Sequence, residues 1–234
     1  MSGESIRGRL EAVVLDAADI EALAGFYASL TGWTIAESDA GWVTLRTREG
    51  FEVGLQAAPD HVPGPPSQFR LDLLVSDPAA TAQQAERLGA TRLEQTFGHI
   101  TLADPAGHPF GLCCCSGVGE AAGLEAVVVD APDAAALAAF YGRLLGVEVA
   151  SGEPVLSPDR SFVVKFRQVE GYTAPQWPDP AHPQQAHLDI AVDDLDAGEA
   201  HALQAGATRV PGDQLTFRVF RDPAGHPFCL TDAG

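Results

Sequence analysis

The chain has 234 residues, 46% hydrophobic and 20% charged, and its 32 Asp and Glu against 14 Lys and Arg give a formal net charge of −18. That length suits one large domain or two ordinary ones with their own cores, and the charge would repel a polyphosphate backbone, so no nucleic-acid partner is expected. Apolar runs such as Ala12 to Leu15 are too short to span a bilayer, and Met1 to Leu10 carries Glu4, Arg7 and Arg9 instead of an apolar signal core, which predicts a cytoplasmic protein with no membrane partner.

Ala12 to Leu15 is a short β-branched run that predicts a strand. Asp16 or Asp19 can cap the helix that follows, and its Leu23, Phe26, Tyr27 and Leu30 fall at i, i+3, i+4 and i+7 on one apolar stripe before Gly32 stops it. Trp42 to Thr47 and Phe51 to Ala57 predict strands on either side of a turn at Glu49 and Gly50. A second unit begins with a strand at Phe69 to Val75. Asp77 and Pro78 then supply a cap and a first-turn proline for a helix that ends at Gly89. Strands near Thr91, Gly98 to Ala103 and Pro109 to Cys114 complete it.

The whole pattern then recurs. Leu10 to Ala36 and Leu124 to Ala150 agree at 16 of 27 positions, Gly89-Ala-Thr-Arg92 returns as Gly206 to Arg209, and Asp104-Pro-Ala-Gly-His-Pro-Phe110 returns as Asp222 to Phe228. The chain therefore reads as α+β, with four βαβββ units in two copies of one domain, 1–115 and 124–234, joined by a Gly/Ala/Ser linker at 116–123. Its four cysteines, Cys113, Cys114, Cys115 and Cys229, form no CxxC pair and no framework of long-range disulfides, so reduced thiols are expected.

The run "D…ALAxFYxxLxG" after the first strand, "HLDxxVDD" at the fifth and "DPAGHPF" before the last resembles the vicinal oxygen chelate superfamily. That superfamily includes glyoxalase I, extradiol dioxygenases and bleomycin-resistance proteins, and the glyoxalase-like subgroup is the nearest in pattern. The resemblance spans Leu10 to Asp232. It implies that each copy forms a cupped, mostly antiparallel eight-stranded sheet with helices on the convex side, and that the two copies make a monomeric pseudo-dimer. In metal-using relatives each cup offers four ligands. The matching positions here are Ala12, Gly54, Arg70 and Gly111 in the first copy, and Ala126, Lys165, His187 and Cys229 in the second. A catalytic metal normally needs three protein donors, so neither a metal nor another cofactor is expected.

The ligand-binding candidates are His187, Cys229 and Lys165, expected to converge in the second cup, with Tyr172 and Trp177 as candidate pocket walls on a Pro-rich rim loop (Tyr172 to His182) that carries Trp177 as a lid. Arg70 in the first cup reads either as a clamp for a carboxylate or phenolate or as half of an internal salt bridge. Trp33, Trp42, Phe51 and Phe97 are candidate pocket walls or core residues. Strand alternation is expected to point Glu11, Glu125, Asp72 and Asp189 away from the cups, and turn geometry explains the segments around His108 and His226. These readings predict a metal-independent protein that binds an apolar or aromatic, anionic or phenolic small molecule. The alternatives are an enzyme of lyase, isomerase or dioxygenase type with a degenerate metal site in the second copy, or a structural or interaction protein whose cups are filled.

Overall fold

The computed structural model describes residues 8–62, 68–96, 98–114, 122–149, 155–156, 163–212 and 214–233. Phe97, Cys115 and most of the linker at 116–123 lie outside them. The elements follow the predicted order: β1 (Arg9–Ala17), α1 (Ile20–Thr31), β2 (Thr34–Ser38), β3 (Trp42–Arg46), β4 (Glu52–Ala57), β5 (Phe69–Val75), α2 (Pro78–Arg87), β6 (Thr91–Thr96), β7 (His99–Ala103) and β8 (Pro109–Cys114). The second copy gives β9 (Gly123–Ala131), α3 (Ala134–Leu145), β10 (Val155–Leu156), β11 (Val163–Gln168), β12 (Ala186–Val192), α4 (Leu195–Ala205), β13 (Thr208–Arg209), β14 (Phe217–Arg221) and β15 (Pro227–Asp232). Among the described residues, aspartates open all four helices by accepting a first-turn N–H: Asp19, Asp77, Asp133 and Asp194. Gly32, at φ 76°, closes α1 in the left-handed region that a side chain disfavours. Among the described residues no helix is long and apolar enough to cross a membrane.

The fold class is as expected, but the pairing of units is not. The eight-stranded sheet runs β13-β14-β15-β12-β1-β4-β3-β2, and a second sheet, with seven strands among the described residues, runs β10-β11-β9-β5-β8-β7-β6. Each sheet therefore joins half of one copy to half of the other, and the expectation that each copy builds its own sheet is corrected. The joints are antiparallel, from Arg9 opposite Ala191 to Leu15 opposite Ala186, and from Phe69 opposite Val129 to Leu74 opposite Gly123. Eight residues separate Cys114, which ends β8, from Gly123, which starts β9. β9 pairs along the edge of β5 opposite to β8, and β1 and β12 pair with each other.

Two faces result. Leu10, Val13, Leu15, Leu71, Leu73, Val127, Val129, Leu188 and Ile190 join the helices in the core, with Phe26, Tyr27, Phe110, Phe140, Tyr141 and Phe228 as its aromatic filling. Ala12, Val14, Ala126, Val128 and Ala191 are also buried but lie outside that core, on the opposite face, which forms the cup. Both joints carry a register shift, between Leu10 and Ala12 on β1 and between Asp72 and Leu73 on β5. The extra residue of each bulge is Glu11 or Glu125, so core residues fall three apart, at Leu10 and Val13, instead of two.

The repeated Asp-Pro-Ala-Gly-His segment has a structural task beyond its turn. Buried Asp104 accepts the Tyr27 hydroxyl at 2.9 Å, the N–H groups of Ala106 and His108, and His108 Nδ1 at 3.1 Å. Asp222 does the same for Tyr141 (3.1 Å), Ala224 and His226. Helix α1 packs on β1, β3 and β4 of one sheet, whereas Asp104 follows β7 of the other. Each clamp thus ties the two sheets together.

Candidate functional site

The exchanged pairing regroups the predicted site residues. In the eight-stranded sheet Val14 stands opposite both His187 and Gly54, and Asp189 stands opposite both Ala12 and Cys229. His187 and Cys229 therefore share a cup with Ala12 and Gly54 of the first copy. Lys165 does not join them. It lies in the seven-stranded sheet, where Val128 separates it from Arg70, so the predicted convergence of Lys165, His187 and Cys229 is corrected.

The His187 side chain is 4% exposed. The Gln184 side-chain N–H groups donate to its Nδ1 at 2.9 Å and to Asp16 Oδ2 at 2.8 Å. The ring's other nitrogen, Nε2, lies 3.4 Å from Asp189 Oδ1. The donor atoms of His187, Asp189 and Cys229 all fall within 4.8 Å of one another. Asp189 is two residues beyond His187, hence on the same face of β12, and the expectation that it points away is corrected. Burial would lower the imidazole pKa, but the neighbouring Cys229 and Asp189 outweigh it and hold His187 above its ordinary value. Burial raises the Cys229 thiol, and His187 only partly offsets this. Burial likewise raises the Asp16 carboxyl against the pull of His187 and Gln184. Asp16 Oδ1 and Asp189 Oδ1 are buried and make no hydrogen bond. Trp42 completes the cup: its ring lies over Gly54, where an added Cβ would sit 2.6 Å from Cζ2, and its Nε1 donates to Thr44 at 2.8 Å.

The seven-stranded sheet carries a different set. Arg70 donates twice to Asp72, at 2.7 and 3.1 Å, which selects the internal salt bridge over the free clamp. Lys165 donates to Glu125 at 2.7 Å. Glu125 also bonds the Cys113 thiol, whose pKa is pushed up to about 12 by burial, Asp72 and Glu125. The bulges explain why Glu125, and Glu11 bonded to Thr231 at 3.0 Å, face the cups and not away from them. Asp72 and His99 lie over Gly111, at 2.4 and 2.5 Å from a Cβ built there.

Tyr172 is not in a cup. Its hydroxyl donates to the Ala224 carbonyl at 3.0 Å and meets His226 Nε2 at 2.9 Å, and Ala174 and Pro175 pack at the Gly225 turn. The rim loop is thus anchored on the β14–β15 turn, with Trp177 half-buried before a cis bond to Pro178. Trp33 stacks on Tyr27 in the core, and Phe51 is core as well. A surface hollow lined by Gly142, Arg143 and Val147 lies beside α3, remote from both cups. Sequence reasoning missed Gln184, Asp16, Asp189 and His99. Of these, Asp189 was within reach, since "HLD" places His and Asp at i and i+2 on a predicted strand.

The four positions that hold metal in relatives do not rebuild a centre of that kind. They read Ala12, Gly54, His187 and Cys229 on one sheet and Ala126, Lys165, Arg70 and Gly111 on the other. The chain is 16% identical to glyoxalase I from Zea mays (TM-score 0.68, covering 97% of this chain and 93% of that one). It is 12% identical to the cppA protein from Streptococcus pneumoniae (TM-score 0.55, 97% and 100% covered). At such identities these likenesses establish the fold alone. No curated protein matches the chain. The model of the glyoxalase-like domain matches residues 12–113 and again 126–231, and the chain belongs to that family, in tandem.

Proposed function

We propose that this chain is a small-molecule-binding protein whose site is the cup of the eight-stranded sheet, working without the four-strand metal centre of its metal-using relatives. The observation that carries the reading is the polar floor of His187, Asp189 and Cys229, where Asp189 Oδ1 is buried without a hydrogen bond. Its nearest partner is His187 Nε2 at a long 3.4 Å, so part of the roughly 1–3 kcal/mol cost of an unpaired buried oxygen remains, and a donor on a bound molecule reduces it. Glu11, Asp16 and Asp189 on this face argue for a neutral or cationic ligand, which revises the anionic expectation, and Trp42 offers a flat apolar wall. Native mass spectrometry of freshly purified protein, followed by a thermal-shift screen of aromatic amines and phenols, tests the reading. His187→Ala and Asp189→Asn should weaken whatever binds, and Arg70→Ala should leave it unchanged. Equal weakening by Arg70→Ala would move the site to the other sheet.

A second reading has its own support. Trp42 over Gly54, and Asp72 with His99 over Gly111, fill space at the floor of each cup, as expected of a structural protein whose cups are closed by side chains. Failure of every screened molecule to bind, with Gly54 and Trp42 intact, would favour it.

A further inference from the structure

We infer that His187, Asp189 and Cys229 form a site for one zinc-type divalent cation, on a ligand set of this chain's own. The set takes two donors from β12 and one from β15 and none from β1 or β4, unlike the one-per-strand arrangement that the resemblance implies. The inference deepens the binding reading at the same cup, and replaces the expectation that no metal takes part there.

The geometry argues for it in three ways. The 3.4 Å between His187 Nε2 and Asp189 Oδ1 is long for a charge-assisted hydrogen bond. It matches the edge of a tetrahedron around zinc, about 3.4 Å for metal–nitrogen and metal–oxygen distances of about 2.0–2.2 Å. Asp189 Oδ1 has no hydrogen-bond partner although it is buried, which a cation would supply. Gln184 fixes the imidazole through Nδ1 at 2.9 Å, leaving Nε2 as the ring atom that faces Asp189. A metal on Nε2 places the ring proton on Nδ1, so the Gln184 amide turns its oxygen to that nitrogen and gives up its donation to Asp16. A nitrogen, a carboxylate oxygen and a thiolate together suit zinc, which is borderline soft, better than magnesium or calcium. Ala12 and Gly54 add no donor, so a fourth position would remain for solvent or ligand.

The other sheet supplies an internal contrast. Asp72, His99 and Cys113 are gathered just as closely. There Arg70 holds both oxygens of Asp72, and Lys165 holds Glu125 beside Cys113. Two fixed cations on that face oppose a third. One equivalent of metal is therefore expected per chain, not two.

Cobalt(II) titration of chelator-stripped full-length protein, followed by absorption, reads the site directly. The expected result is one equivalent bound, with a thiolate-to-cobalt band in the near ultraviolet, intense visible bands of a tetrahedral ion, and loss of both on adding zinc. Cys229→Ser should remove the near-ultraviolet band. Asp189→Asn, nearly isosteric and the safeguard if Cys229→Ser fails to fold, should weaken cobalt by about tenfold or more. A variant with Cys113, Cys114 and Cys115 all changed to Ser should keep the spectrum. No thiolate band, or a band that survives Cys229→Ser and vanishes in the triple variant, overturns the assignment. Small-molecule binding measured with and without chelator separates the two readings: unchanged binding without a cobalt band sinks only the metal, and a cobalt spectrum without any small-molecule binding sinks only the ligand.

Discussion

Replacing Tyr27 by Phe removes one hydroxyl and leaves the ring contacts to Trp33, at 5.7 Å and 11° between planes, and to Phe110, at 6.3 Å, in place. What is lost is the 2.9 Å donation to Asp104 Oδ2, an oxygen left with His108 Nδ1 alone. A hydrogen bond to a buried carboxylate contributes roughly 1.5–3 kcal/mol. At roughly 2–4 °C per kcal/mol for a chain of this size, the midpoint should fall by about 3–12 °C. Tyr141→Phe removes the matching bond to Asp222 and should cost a similar amount. The two clamps share no residue, so the double variant should be additive within about 0.5 kcal/mol. Urea unfolding of the four proteins, followed by circular dichroism, measures the free energies and their additivity, and a thermal scan measures the midpoints. Single variants that both lie within 0.5 kcal/mol of the parent would show that the clamps do not hold the sheets together.

Three further outcomes are expected. Gly54→Ala brings a Cβ to 2.6 Å from the Trp42 ring, so it should shift the emission of that tryptophan and cost about 1–3 kcal/mol; an unchanged spectrum would mean the ring does not rest there. Alkylation by iodoacetamide at mildly alkaline pH, mapped by peptide mass, should mark exposed Cys114 well before Cys113, whose thiol is pushed up to about 12, and before buried Cys229. Burial raises Asp16 above its ordinary 3.8, so its favourable share of stability is full below that value and is lost as pH rises through the higher folded value. Asp16→Asn should therefore gain on the parent as pH rises from about 4, and a difference independent of pH would refute the buried-acid assignment.

Local order was legible because it rests on nearest neighbours. The stripe of Leu23, Phe26, Tyr27 and Leu30, the capping aspartates and the repeated turn each declare themselves within a few residues. Pairing was not, since β1, β5, β9 and β12 all present a similar edge, and either pairing satisfies the same alternation of apolar residues. That choice is why Lys165 and His187, matched to one cup by the repeat, lie on different sheets. The facing of Glu11 and Glu125 was hidden for another reason: a bulge leaves no mark in periodicity that a one-residue slip would not also leave. Gln184 escaped notice because its importance comes from two partners, Asp16 and His187, of which one is 168 positions away in the chain.

The crossed arrangement of the sheets also governs how such a protein can be altered by inheritance or by hand. Each cup is written in two separate stretches of the gene, 9–57 with 186–232 and 69–114 with 123–168, the second pair lying between the two parts of the first. A recombination event at the linker would hand a descendant half of each cup from either parent and a whole one from neither. A graft that moves a working cup between relatives must carry the outer pair of segments or the inner pair, never the first or second half of the chain.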